Sequence, residues 1–223
     1  MRFSLTLLAL LAVAGCDSTQ PDAPPLAPAV PLAVGTEWTF AQAYRVTFEE
    51  GVPLDTVAAN VPAQTFTLRA TRDTVVAGET WVRIETVSDG PDLQHCVFGR
   101  PAWFTNRTDG LYRWKESPAD AELAYGVGVT PGVPFLDTDA VAAVLVDDGA
   151  HEEGVQARVY ERTWRRLEFN DDVQGPIAPT VRTLDVLSPT EGPLALEVQY
   201  VRQSDSPTGF VPSSTIGYRR ADL

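Results

Sequence analysis

The sequence predicts an all-β domain: an antiparallel meander forming a curved sheet, an open barrel or a sandwich, with at most one short helix. Three observations predict it. Apolar and polar residues alternate at period two in segment after segment. Turn signals rich in Gly, Pro and Asp separate those segments. Helical periodicity is confined to one or two short stretches. A strand with one apolar and one polar face suits an antiparallel sheet, whose outer face is free to meet water.

The first strand is expected in "TEWTFAQAYRVTF", where Trp38, Phe40, Tyr44, Val46 and Phe48 all fall on even positions. "TFTLRAT" follows with Phe66, Leu68 and Ala70 in phase. "RDTVVAGETWVRIET" reads as strand, tight turn and strand, and "AWFTNRTDGLYRWKE" as a second hairpin around Asp109-Gly110. In "SPADAELAYG", Ser117 as cap and Pro118 at the first position allow one or two helical turns. "GVGVTPG" at 126–132 has glycines but no following helix or lysine, so it reads as a turn-rich connection. "TDAVAAVLVDD" suits helix or strand, and its valines favour strand. "ARVYERTWRR" carries Tyr160 and Trp164 among charges, and "LALEVQY" sets Leu194, Leu196, Val198 and Tyr200 on one face. Ten to twelve strands result, most joined to their sequence neighbours. No repeat of 20–50 residues stands out, which argues against a propeller or solenoid.

Composition bounds the partners. The chain has 223 residues, is 44% hydrophobic and carries a formal charge of −13, enough apolar material for a substantial core. An acidic surface repels phosphate backbones, so nucleic acid is not an expected partner. Lys115 is the only lysine, and the basic residues form pairs at most, Arg165-Arg166 and Arg219-Arg220. Two cysteines are present, Cys16 and Cys96. Cys96 sits in "LQHCVF" and is expected to be a buried, inert thiol.

The N-terminus divides the chain. Residues 1–15, "MRFSLTLLALLAVAG", have a charged start at Arg2, an apolar run from Phe3 to about Val13, and small residues before Cys16. That is the layout of a secretory signal peptide, and the apolar run is shorter than the ~20 residues of a spanning helix. Val13-Ala14-Gly15-Cys16 resembles the lipobox of bacterial lipoproteins. The resemblance implies cleavage between Gly15 and Cys16, lipid transfer to the Cys16 thiol, acylation of the new amine with chains such as palmitate, and membrane attachment through that residue. Asp17 resembles the inner-membrane retention signal of enteric bacteria, a rule that does not extend to all phyla; the expected destination is the outer membrane. Residues 16–32 then form the lipidated cysteine and a tether with Pro21, Pro24, Pro25, Pro28 and Pro31, and residues 33–223 form a single β-rich domain.

His95 and His151 are the only histidines. "HEEGV" at 151–155 has Val155 where a zinc-protease helix needs its second histidine, and it lies in a loop-forming context. His95 beside Cys96 reads as packing, because strand neighbours point to opposite faces. Acidic pairs at Asp137/Asp139, Asp147/Asp148, Glu152/Glu153 and Asp171/Asp172 read as solvated loops rather than calcium or glycosidase carboxylates. Asn106-Arg107-Thr108 is a glycosylation sequon by letters and a turn by context. No catalytic residue, metal ligand or cofactor is assigned.

"PLAVGTEWTF", "DGLYRW" and "EGPLALEVQY" look like a style seen in small secreted lipoproteins, where a β-rich domain opens with a Val-Gly-x-x-Trp strand soon after the tether. That resemblance implies a domain in the cell envelope or periplasm and no particular activity. The expectation is therefore a lipid-anchored, non-enzymatic protein presenting a β-domain for binding or assembly with an unknown protein. An apolar-ligand or lipid carrier with a half-barrel cavity is the alternative, and a polysaccharide hydrolase is a more remote one.

Overall fold

The computed structural model describes residues 26–49, 52–58, 64–87, 93, 95–114, 117–152, 154–166, 178–203 and 210–222. The domain is an all-β meander of thirteen described strands in a single antiparallel sheet that curls into a nearly closed barrel. The strands are β1 (Glu37–Glu49), β2 (Val52–Ala58), β3 (Thr65–Val76), β4 (Glu79–Thr86), β5 (Ala102–Arg107), β6 (Gly110–Trp114) and β7 (Glu122–Gly126). They continue as β8 (Pro134–Asp137), β9 (Val141–Glu152), β10 (Val155–Arg166), β11 (Ala178–Ser188), β12 (Gly192–Gln203) and β13 (Phe210–Arg220). Twelve of them follow the order β7-β6-β5-β4-β3-β1-β13-β12-β11-β10-β9-β8, and β2 pairs with the later half of β1.

The two terminal strands, β1 and β13, thus pair in the middle of the sheet, and a wing grows from each. The wings end at β7 and β8, which residues 127–133 join. So short a link requires the two sheet edges to lie side by side, which is what curls the sheet. The expected strand–turn–strand units are present at β3–β4 and β5–β6. "TDAVAAVLVDD" is strand in β9, as its valines favour. The expected helical turn is a single 3-10 turn, Pro118–Asp120, with Ser117 Oγ accepting the Ala119 N–H at 3.1 Å.

One phase prediction needs correction. Trp38 and Phe40 point into the core, but a bulge between Gln42 and Tyr44 shifts the register. Gln42 pairs with core residue Tyr218, whereas Tyr44 pairs with Gly217, whose position belongs to the opposite face. Tyr44 and Val46 therefore lie on the outer face, because one inserted residue inverts every later side chain.

Aromatic side chains fill the barrel. Phe40 and Phe66 stack at 5.0 Å, Phe66 meets Tyr218 edge-on at 5.3 Å, and Phe98 bridges Phe104 and Tyr125 at 5.1 and 5.9 Å. Both poles are plugged. At one, residues 95–100 turn inward with Cys96, Val97 and Phe98 buried; a Cβ on Gly99 would overlap the Leu93 carbonyl. At the other, the N-terminal strap of residues 26–32 crosses between the wings. Ala29 and Val30 are fully buried there, Asn106 donates to the Val30 carbonyl at 2.8 Å, and Arg158 donates to Ala27 and Pro28 at 3.3 and 3.0 Å. Of the proline-rich segment, Ala29 and Val30 thus join the core, while Leu26, Ala27 and Pro28 remain exposed.

Candidate functional site

Period-two alternation decides which residues of the β3–β6 wing face outward. Val82, Ile84, Phe104 and Leu111 are buried on the inner face. Their neighbours Trp81, Arg83, Trp103 and Tyr112 therefore project from the outer one. Cross-strand register aligns Arg72, Arg83, Trp103 and Trp114 in one row over β3, β4, β5 and β6. Three of the chain's five tryptophans meet on this face.

They form a layered cluster. Trp81 and Trp114 stack at 4.8 Å with ring planes 6° apart, and Trp103 meets Trp114 edge-on at 5.8 Å. Arg72 and Arg83 lie over Trp103 at 5.5 and 5.7 Å; Arg107 lies over Tyr112 at 4.2 Å and Trp81 at 5.7 Å. Each such contact contributes about 0.5–1 kcal/mol at an exposed site. Carboxylates fix two of these arginines in place. Arg107 grips Glu79 through two bonds of 2.7 and 2.8 Å, and Arg83 reaches Glu85 at 2.9 Å. The Arg107 hydrogen bond holds the Glu79 carboxyl below its usual range, and the Arg107 guanidinium is raised in turn. Trp81 and Trp114 are 0% and 7% exposed on this outer face, and their indole N–H groups have no acceptor among the described residues. The Trp81–Trp114 pair is therefore packed away, and what this face leaves open is half-buried Trp103 and Tyr112 edged by guanidinium and carboxylate arms.

A second polar cluster lies inside, along the seam between the wings. The inner face of β11 presents Thr183 and Asp185, directly beside Arg162 and Tyr160 of β10. Tyr125 of β7 donates to Asp185 at 2.6 Å; Arg162 donates to the Ala124 carbonyl at 2.6 Å and Tyr160 to the Gly126 carbonyl at 2.8 Å. These side chains satisfy carbonyls of edge strand β7, so the seam is closed by side-chain hydrogen bonds instead of a backbone ladder. Burial pushes the Asp185 carboxyl up to about 6, against the lowering effects of the Tyr125 hydrogen bond and the Arg162 charge. Burial, with the Asp185 charge second, raises the Cys96 thiol well above its ordinary value, so it is the inert thiol expected.

A third feature is a shallow outer trough. Tyr44, Gly217, Glu197 and Leu184 form one cross-strand row over β1, β13, β12 and β11. Gly217 has no side chain, so the Tyr44 ring lies across β13 and its hydroxyl donates to Glu197. The adjoining cavity is about 70 Å³ and is also lined by Val186, Ala195 and Arg219. That is the size of a few waters, far below an acyl chain.

The residues singled out in the sequence are dispersed. Gly15 and Cys16 lie outside the described residues. His95 packs edge-on against Trp164 and Tyr200 in one polar plug, while His151 sits near the opposite end of its strand pair. Asp137 pairs with Arg165 at 3.0 Å and Asp148 with Arg158 at 2.7 Å; Asp147 caps the Gly149 N–H. Among the described residues no group of three His, Cys, Asp or Glu is arranged to hold a metal ion. Glu153, Asp171 and Asp172 lie outside the described residues. Asn106 of the sequon is the penultimate residue of β5, with its side chain on the strap. The outer aromatic face was missed, although "TWVRIE" carries its signal: Trp81, Arg83 and Glu85 share one phase and Val82 and Ile84 the other.

Comparison with known protein families, with curated proteins and with solved structures finds no match to this chain.

Proposed function

We propose that the protein is a lipid-anchored, non-enzymatic lipoprotein of the cell envelope, held at the outer membrane through Cys16, that presents its barrel for binding or assembly. The observation that carries the binding part is the outer face of β3–β6, where half-buried Trp103 and Tyr112 stand with Arg72, Arg83 and Arg107 beside a packed Trp81–Trp114 pair. Tryptophan, tyrosine and arginine are the residues enriched where proteins meet partners. The anchor rests on the Val13–Cys16 motif and the charged, apolar and small segments before it. Two or three acyl chains, at ~0.8 kcal/mol per buried methylene, hold a domain at a bilayer durably.

Among the described residues the barrel interior is packed with aromatic side chains, which favours surface binding over the carriage of an apolar ligand, a role that needs an open cavity of about 300 Å³ or more. The test is fractionation of cells expressing the full chain and its Cys16→Ser variant. The wild type is expected in the membrane fraction and the variant in the soluble one. A wild-type protein that stays soluble would remove the anchor from this reading. Binding by the outer face is tested separately, by crosslinking from Arg72 in intact envelopes and sequencing the adduct. A defined adduct lost in Trp103→Ala supports it; adducts indifferent to that change count against it.

A further inference from the structure

The β3–β4 ladder carries two arginines directly opposite each other. Ala70 pairs with Ile84, both buried in the core, and the next pair is Arg72 with Arg83. The step from 70 to 72 is a bulge at Thr71. Without that extra residue Arg72 would keep the phase of Leu68 and Ala70 and face the core. The bulge instead sets it beside Arg83, in the row that ends on Trp103 and Trp114. Like charges directly opposite in a sheet are destabilising. The carboxylates of this face offset the clash only in part. Arg69 pairs with Glu37 at 2.6 Å, Arg83 with Glu85 and Arg107 with Glu79, each arginine with its own carboxylate. Arg72 is exposed and makes no ion pair among the described residues; its contact is the Trp103 ring. Arg83 meets Glu85 through Nε, which leaves its terminal amino groups for another acceptor.

We propose that Arg72 and Arg83, beside Trp103, bind the terminal phosphate of a phosphorylated sugar. The inference rests on the reading of this outer face as the binding surface and names its ligand. A single arginine grips a carboxylate through a two-bond fork, as Arg107 grips Glu79. Two guanidinium groups on neighbouring strands suit an anion with more acceptors and more charge. A terminal phosphate brings three acceptor oxygens and about −1.5 to −2 charges at pH 7, more than the diester of a membrane phospholipid carries. Bridging the two side chains, it offsets the Arg72–Arg83 repulsion. The half-buried indole of Trp103 adjoins both guanidinium groups, at 5.5 and 5.7 Å, and offers a flat apolar surface to the C–H face of a sugar ring. On a chain of charge −13 this is a local cationic surplus, which draws an anion to that spot.

The experiment titrates the full chain, purified in non-ionic detergent, with glucose-6-phosphate, inorganic phosphate and glucose at constant ionic strength, read by calorimetry. Glucose-6-phosphate is expected to bind saturably and more tightly than inorganic phosphate, and glucose not to bind. Arg72→Gln is expected to weaken glucose-6-phosphate at least about tenfold, the loss of charge-assisted hydrogen bonds. Thermal melts check that the variant folds. Without ligand it is expected to melt no lower than wild type, because the opposed charges are gone. Glucose-6-phosphate is expected to raise the wild-type midpoint and leave the variant's in place. Binding that Arg72→Gln leaves unchanged overturns the site, and inorganic phosphate binding as tightly as the ester overturns the sugar. If neither phosphate compound binds while Trp103-dependent crosslinks from position 72 persist in envelopes, the ligand is overturned and the surface reading stands. If those crosslinks are absent too, both fall.

Discussion

Replacing Asp185 by Asn removes one buried charge while keeping the side chain's shape and an oxygen for the Tyr125 hydroxyl. A carboxyl that ordinarily titrates at 3.8 titrates here at about 6. Between those values the folded protein holds a proton that the unfolded chain releases, so stability falls as pH rises through the window. Each tenfold change in proton affinity corresponds to about 1.4 kcal/mol, which makes the loss about 3 kcal/mol by pH 7. Arg162 and Tyr125 favour the ionised form, but desolvation outweighs both. Urea denaturation of wild type and Asp185→Asn from pH 4 to pH 7.5 isolates this group, because the other carboxyls are common to both proteins. The two are expected to be near equal in stability at pH 4, with the variant about 3 kcal/mol more stable at pH 7 and no further divergence above that. A difference that is flat with pH, or one in which wild type gains as pH rises, would show that Arg162 holds the carboxylate charged and would refute the reasoning.

Other expectations follow from the packing. Val30→Ala removes two fully buried methyl groups from the strap and should cost about 2 kcal/mol in a urea melt, where an unattached strap would give no change. Gly217→Ala places a methyl group on the Tyr44 ring and should cost about 1–3 kcal/mol. The same change in a Tyr44→Ala background should cost much less, and equal costs would break the proposed contact. Ala77 has φ 50° beside Gly78 at φ 85°, the geometry of a type I′ hairpin turn, so Ala77→Asn should raise stability by about 0.5–1 kcal/mol; a loss would contradict that turn assignment. Trp103→Ala strips the edge-on cover from Trp114, and a red shift in tryptophan emission is expected alongside reduced stability.

The alternation of "TFTLRAT" and "LALEVQY" made the strands legible, and Asp109-Gly110 made the β5–β6 hairpin legible. The bulge after Gln42 was not, because an inserted residue leaves no local mark when polar and apolar residues both flank it. Closure was hidden for a different reason. It depends on Tyr125, Tyr160, Arg162 and Asp185, which lie far apart in the chain and meet only when the wings curl together. The strap reads as a spacer in sequence because its prolines forbid regular structure, yet Ala29 and Val30 between them are small and apolar enough to plug a barrel end. The outer aromatic face was legible in part. Its phase is written in residues 81–85, but tryptophans in a β-rich chain are first expected in the core.

The most direct test of the anchored reading is the intact mass of the protein extracted from membranes of cells expressing the full chain. The expected species begins at Cys16 and carries a diacylglyceryl group on its thiol and an acyl chain on its amine. A mature protein with an unmodified Cys16, or one beginning elsewhere in residues 1–25, would contradict it.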